Sequence, residues 1–230
     1  MNMHLCKKNI LIIIMAFLVV FPINMISVKA DENQKCILID PGHGGKDGGA
    51  KSKNGTSEKD INLSISKKLR QILEDNGYKV FLTREDDVNL KSEKIKTSKF
   101  KISDLTRRCE LKEETKCDMF ISIHLNMYTD SKPKGAQVWY STYEKSKILA
   151  EAIQNSFKEN LDSSNNRLPK AAGEHYKILR DKYQGPAVIV ECGFLSNPQE
   201  EQLLKDEAYQ QKIAESIAKA VKKYYELENK

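Results

Sequence analysis

Short apolar segments alternate with longer amphipathic segments from residue 36 onward. The apolar segments predict buried strands, and apolar residues at helical spacing predict helices that pack on them. Strand, crossover helix and next strand pair in parallel, so we predict one α/β domain with largely parallel pairing. The predicted strands are 36–40, 79–83, 118–124, 136–140, 175–180 and 187–192, and the predicted helices are 58–76, 103–115, 143–161, 198–204 and 206–227.

Residues 1–30 differ from the rest of the chain. Two lysines precede an apolar run over 10–21, and small residues end the segment. This layout predicts a signal peptide cleaved after Ala30 and export through the Sec route. The alternative is an uncleaved membrane anchor, because apolar residues continue beyond the run. In either case we expect residues 31–230 to form one extracytoplasmic domain, which contacts the membrane only through an uncleaved leader.

The exported part has a modest charge and four of the five cysteines. The formal net charge is +6 for the whole chain and +3 without the three lysines of the leader, which does not favour nucleic-acid binding. The four cysteines lack the spacing of a zinc knuckle. Their apolar neighbours in the sequence predict that they are small buried side chains, although export also permits disulfides. They are Cys36, Cys109, Cys117 and Cys192.

Two histidines and a glutamate follow or end predicted strands. His43 follows the first strand, His124 ends "FISIH", and Glu191 ends "AVIVE". The carboxyl ends of parallel strands meet at one edge of a sheet. We therefore expect these three side chains to gather there, although a single histidine at a strand end is usually structural.

Two imidazoles and one carboxylate form a catalytic zinc set that leaves the fourth tetrahedral position open. Glu58 is the candidate third ligand, because it begins a helix just after the glycine-rich loop of His43. The alternative is an ordinary carboxylate favoured by the helix dipole. The glycines allow tight bending around a ligand and leave room for substrate. Asp40 either orients the His43 ring or forms a turn before Pro41.

Four segments of the chain carry a family resemblance. In order, "ILIDPGHGGKDGGA", "SEKDINLSISKKL", "DMFISIHLN" and "PAVIVECGFLSNPQEEQLL" resemble the signature blocks of the zinc-dependent N-acetylmuramoyl-L-alanine amidases. The resemblance implies a single mixed, largely parallel β-sheet flanked by helices on both faces. It also implies one Zn²⁺ ion bound by His43, Glu58 and His124, with Glu191 as the catalytic residue of a zinc amidase domain spanning 31–230.

The resemblance implies a substrate as well. Members of this family cleave the amide bond between the lactyl group of N-acetylmuramic acid and L-alanine of the peptide stem in peptidoglycan. Arg167 and Lys170 match a basic pair of the family. In one interpretation the pair contacts carboxylates of the peptide stem, and in the other it lies in a solvated loop. Asn126 follows the last ligand, after Leu125 in place of the usual alanine.

The size of the chain and its leader are similar to those of the single-domain spore-cortex amidases, which begin the formation of muramic-δ-lactam. The alternatives are a vegetative autolysin of the same fold, a zinc carboxypeptidase that shortens the stem, and a zinc-dependent wall-binding protein without turnover. Retention of Glu191 argues against the binding protein, because binding needs no general base.

A lysine-rich stretch, 85–101, is longer than the usual connection in the family. It predicts either a solvated loop or a docking segment for anionic wall polymer or an accessory or regulatory protein. Arg107 or Arg108, in the helix that follows, matches an arginine of the family.

Overall fold

The computed structural model describes residues 34–228, so the predicted leader lies outside the described range. Its strands are β1 (Cys36–Pro41), β2 (Lys79–Leu82), β3 (Met119–Asn126), β4 (Gln137–Tyr140), β5 (Lys170–Ala171) and β6 (Ala187–Phe194). Its helices are α1 (Glu58–Asp75), α2 (Phe100–Thr115), α3 (Glu144–Asn160), α4 (Pro198–Lys205) and α5 (Glu207–Glu228), with a 3₁₀ turn at Lys177–Leu179. Within residues 34–228, no helix combines the length and apolarity needed to cross a membrane.

The strands form a six-stranded sheet in the order β2-β1-β3-β6-β4-β5. All neighbouring pairs are parallel except β4 and β6, which are antiparallel. Strands β1 and β6 are buried along their whole length, as expected for central strands covered on both faces. The predicted single mixed, largely parallel sheet is confirmed.

Side chains of the central strands alternate between two apolar cores, one on each face of the sheet. Ile37 and Ile39 pack into the larger core with α1, α3 and α5, whereas Leu38 and Phe120 pack into the smaller core under α2 and the 3₁₀ turn. This alternation fixes the register, because a slip of one residue would exchange the two faces.

The four cysteines beyond the leader are free thiols.

Three local predictions were wrong. The segment predicted as a strand at 175–180 forms the 3₁₀ turn, because its apolar side chains Ile178 and Leu179 cover the smaller core instead of extending the sheet. A strand of two residues, β5, lies between the predicted helix 143–161 and the predicted strand 175–180, where no strand was predicted, because so short a strand has no detectable periodicity. Helix α2 begins at Phe100 instead of the predicted residue 103, so it includes the end of the lysine-rich stretch 85–101.

Candidate metal centre and active site

The carboxyl ends of β1, β3 and β6 bring the predicted site residues to one edge of the sheet. His124 and Glu191 are neighbours in the register of β3 and β6, and the pairing becomes irregular immediately after them. His43 follows β1, and Glu58 begins α1. All four side chains line one cavity of about 380 Å³.

Three side-chain atoms in this cavity are close enough to share a cation. His43 Nε2 lies 3.2 Å and His124 Nδ1 lies 3.0 Å from Glu58 Oε1. Ligand atoms of the three residues all lie within 4.8 Å of one another. Tetrahedral zinc with bonds of about 2.0–2.2 Å separates its ligand atoms by about 3.4 Å, so two nitrogens and one oxygen at these separations fit a zinc ion.

The Glu58 carboxylate is held as an anion. Burial opposes its ionisation, but hydrogen bonds with His124 and His43 outweigh this effect and hold the pKa of Glu58 well below its ordinary value. The backbone N–H of Ala50 donates to Oε2 over 2.7 Å, and that of Leu125 donates to Oε1 over 3.0 Å. These contacts fix a charged carboxylate at the position of a candidate ligand.

Two glycines leave the space that the ligands occupy. A Cβ atom on Gly42 would lie 2.4 Å from the His124 ring, and one on Gly49 would lie 2.5 Å from Glu58 Oε2. Real Cβ atoms essentially never approach this closely. The glycine-rich sequence is therefore required because backbone and ligands pack directly against each other.

Asp40 is a buried anchor and does not orient the His43 ring. Its carboxylate accepts hydrogen bonds from Thr83 Oγ1 over 2.6 Å and Ser122 Oγ over 2.7 Å, and it pairs with Arg108. The predicted contact with the ring is absent, because these three donors surround the carboxylate behind the turn.

The carboxylate beside the His43 ring is Asp47, in the same glycine-rich loop. Asp47 Oδ2 lies 3.1 Å from His43 Nδ1, the ring nitrogen that faces away from Glu58. Carboxylates at this position commonly orient metal-bound imidazoles. Asp47 therefore occupies the position that the sequence analysis assigned to Asp40.

Two buried arginines hold the backbone of the turn that carries His43. Arg84 donates to the carbonyl oxygens of Pro41 and Gly42, each over 3.0 Å. Arg108 donates to Pro41 O over 3.0 Å and to His43 O over 2.7 Å. His43 has a left-handed backbone conformation with φ of 62°, which is unfavourable for most residues other than glycine. The arginines bind the carbonyls that this conformation exposes.

Replacing Asp40 with asparagine is expected to lower the free energy of unfolding at pH 7 by about 3 kcal/mol, because the buried Arg108 charge loses a partner. Burial opposes ionisation of Asp40, but Arg108 and the hydroxyl donors lower its pKa to about 2. The unfolded pKa is about 3.9, so this stabilisation is present above about pH 4 and is lost as the pH falls through about 2.

Urea unfolding of wild type and Asp40→Asn at several pH values checks this prediction, with the exposed Asp60→Asn variant as control. The difference in the free energy of unfolding between wild type and Asp40→Asn should become smaller below about pH 4. A difference independent of pH would contradict the assigned role of Asp40.

A second buried carboxylate anchors the loop that precedes Glu58. Glu201 of α4 accepts hydrogen bonds from Ser52 Oγ and Thr56 Oγ1, each over 2.6 Å, and from Asn54 Nδ2 over 2.8 Å. All three donors come from one short loop. Glu201 thereby fixes the approach of the chain to the ligand at the start of α1.

Truncating Glu201 to alanine is expected to weaken zinc binding about tenfold, the lower end of what outer contacts of a metal site contribute. The loop loses its only carboxylate anchor in the described residues, so Glu58 is held less firmly. Competition with a chromophoric chelator measures the affinity, and circular dichroism checks the fold. Glu215→Ala, on an exposed face of α5, is the control. Unchanged zinc affinity in a folded Glu201→Ala protein would refute the anchoring role.

Glu191 has the environment of a general base. Its side chain is buried, and its Oε2 has no hydrogen-bond partner among the described residues. Burial raises the pKa of Glu191 to about 7, although the nearby imidazoles oppose this shift. A base with a pKa near the operating pH transfers protons efficiently.

The other predicted site residues lie outside this cavity. Asn126 Oδ1 accepts the backbone N–H of Met127, and Arg167 donates to Lys134 O and stacks over Phe194. Lys170 is exposed on β5.

Four residues with ionisable side chains that were not predicted as site residues also line the cavity: Lys101, His175, Tyr176 and Lys177. Three of them lie in the segment 175–180, which was wrongly predicted as a strand, and that prediction gave no indication that they line the cavity. The visible signal was His175, one of three histidines beyond the leader.

Comparisons with known proteins agree with this geometry. The sequence model described as N-acetylmuramoyl-L-alanine amidase matches residues 37–223. The chain is 38% identical over 193 residues to the germination-specific N-acetylmuramoyl-L-alanine amidase of Bacillus subtilis strain 168, covering 83% of this chain and 80% of that protein.

Solved structures are similar as well. The CwlD amidase of Clostridioides difficile, solved in complex with the GerS lipoprotein, has a TM-score of 0.79 and 43% identity, with coverage of 84% of this chain and 100% of that chain. An N-acetylmuramoyl-L-alanine amidase of Clostridium difficile 630 has a TM-score of 0.73 and 32% identity, with coverage of 84% and 98%.

Proposed function

The chain belongs to the N-acetylmuramoyl-L-alanine amidase family, and from this we propose that it is a zinc-dependent amidase of the spore cortex. It is an N-acetylmuramoyl-L-alanine amidase, a hydrolase that acts on peptidoglycan. The proposed bond is the amide between the lactyl group of N-acetylmuramic acid and L-alanine, and the proposed role is the first step toward muramic-δ-lactam.

One observation carries the zinc proposal: His43, Glu58 and His124 present two nitrogens and one carboxylate oxygen to a common point beside Glu191. When bound, zinc supplies a Lewis acid that polarises the scissile carbonyl and makes water more acidic. Glu191 accepts a proton from the attacking water and delivers it to the departing amine of L-alanine. Glu58 stays ionised and does not take part in proton transfer.

The spore-cortex role is supported by two relatives. The similar enzyme of Bacillus subtilis is described as germination-specific, and the similar CwlD enzyme is solved with a lipoprotein. We propose that this chain also acts outside the cytoplasm with an accessory lipoprotein. Residues 1–30 as a Sec leader agree with that location.

Digestion of purified muropeptides followed by mass spectrometry tests the activity. Release of intact stems from intact glycan supports the amidase, shortened stems indicate a peptidase, and unchanged muropeptides indicate a binding protein. Chelation followed by addition of zinc should abolish and then restore release. Muropeptides from spores of a deletion strain test the role, because retention of muramic-δ-lactam in that cortex would refute it.

A further inference from the structure

The lining of the cavity includes a basic wall and a group of apolar side chains. Lys101 and Leu105 of α2, with Tyr176 and Lys177 of the turn segment, form the basic wall. Leu125 and Met127, at the end of β3, lie among the lining residues beyond His124. The cavity lining therefore combines ammonium groups and apolar side chains with the residues of the candidate centre.

The charge of Lys177 is not neutralised by a protein carboxylate. Its Nζ donates to the hydroxyl of Thr106, a neutral acceptor, and none of the ion pairs among residues 34–228 includes Lys177. Lys101 Nζ lies 3.7 Å from Asp47, whose carboxylate also faces His43. The wall therefore has a net positive charge that favours an anionic group.

A buried lysine holds this wall in place. Lys112, almost fully buried, donates to Ile178 O and pairs with Asp181 Oδ2 over 2.8 Å. Its ammonium group also lies 4.1 Å from the centre of the Phe120 ring. These contacts secure the turn itself at Ile178 and the chain that follows it at Asp181, so the backbone of Lys177 is positioned before substrate binds, which limits the entropy lost on binding.

We propose that Lys177, assisted by Lys101, binds the carboxylate that follows L-alanine in the peptide stem. This inference rests on the proposed amidase function and assigns an orientation to its substrate. The residue after L-alanine in the stem is a glutamate, whose α-carboxylate is free in some peptidoglycans and amidated in others. An ammonium group in the lining of the same cavity distinguishes these two forms, because it binds the anion and gains little from the amide.

Hydrolysis of two synthetic muropeptides tests the proposal. They are identical except that one has a free α-carboxylate on the glutamate and the other has the amide. In Lys177→Gln, which removes the charge, KM for the acidic substrate should rise about fivefold, in the range of a partly exposed ion pair. The kcat value for the acidic substrate and KM for the amidated one should stay within about twofold of wild type, because only uniform binding of the anion is lost.

Two further variants make the outcome specific. Lys177→Arg keeps the charge and should restore most of the affinity for the acidic stem. The control is Lys96→Gln, an exposed lysine of the stretch 85–101, which should leave KM for both substrates unchanged. An equal rise of KM for both substrates, or no rise for either, would overturn the assignment of Lys177. If wild type released a stem from neither substrate, the amidase proposal itself would fail, and this inference with it.

Discussion

Replacing Glu191 with glutamine is expected to lower kcat by about 10²–10⁴-fold while the bound zinc stays at the wild-type level. The amide has nearly the same shape as the carboxylate, but it cannot accept the proton of the attacking water. Glu191 lies beside His124 in the sheet register, yet it is not one of the three residues whose ligand atoms cluster. Removing its charge therefore removes the base and leaves the metal ligands in place.

Stem release from muropeptides measures kcat, and elemental analysis of the dialysed protein measures zinc. Glu151→Gln, an exposed carboxylate on α3, is the control for loss of one negative charge. Turnover of Glu191→Gln within about tenfold of wild type would show that another group accepts the proton.

Replacing His124 with alanine is expected to reduce bound zinc from one ion per chain to a small residual fraction, and activity with it. The candidate centre offers three protein ligands, and removal of one would leave a histidine and a carboxylate to hold zinc weakly. The fold should survive, because His124 contributes little to either apolar core.

His175→Ala is the matched control for this prediction. His175 lines the same cavity but does not belong to the cluster of ligand atoms. Zinc content after dialysis and the midpoint of thermal unfolding are measured for both variants. Full zinc content in His124→Ala, or equal loss of zinc in both variants, would exclude His124 as a ligand.

The structure also distinguishes residues that the sequence left equivalent. Arg107 and Arg108 are adjacent, and the sequence predicted only that one of them matches the arginine of the family. Arg108 faces the sheet and pairs with Asp40, whereas Arg107 faces solvent and pairs with Glu114. The direction of each side chain depends on the rotation of α2 about its own axis. The polar residues at the start of α2 give little indication of which face of the helix packs on the sheet.

The alternation of strands and helices can be predicted from the amino-acid sequence, and with it the edge of the sheet at which His43, His124 and Glu191 meet. This follows because apolar runs must be buried and parallel strands all end on one side. Three contacts emerge from the folded structure alone: Asp47 lies beside the His43 ring, Glu201 anchors a loop far from it in sequence, and Lys177 lines the cavity. The contact of Asp47 depends on the backbone conformation of the loop that it shares with His43. The other two depend on how separate segments pack together, and no local pattern of residues records that packing.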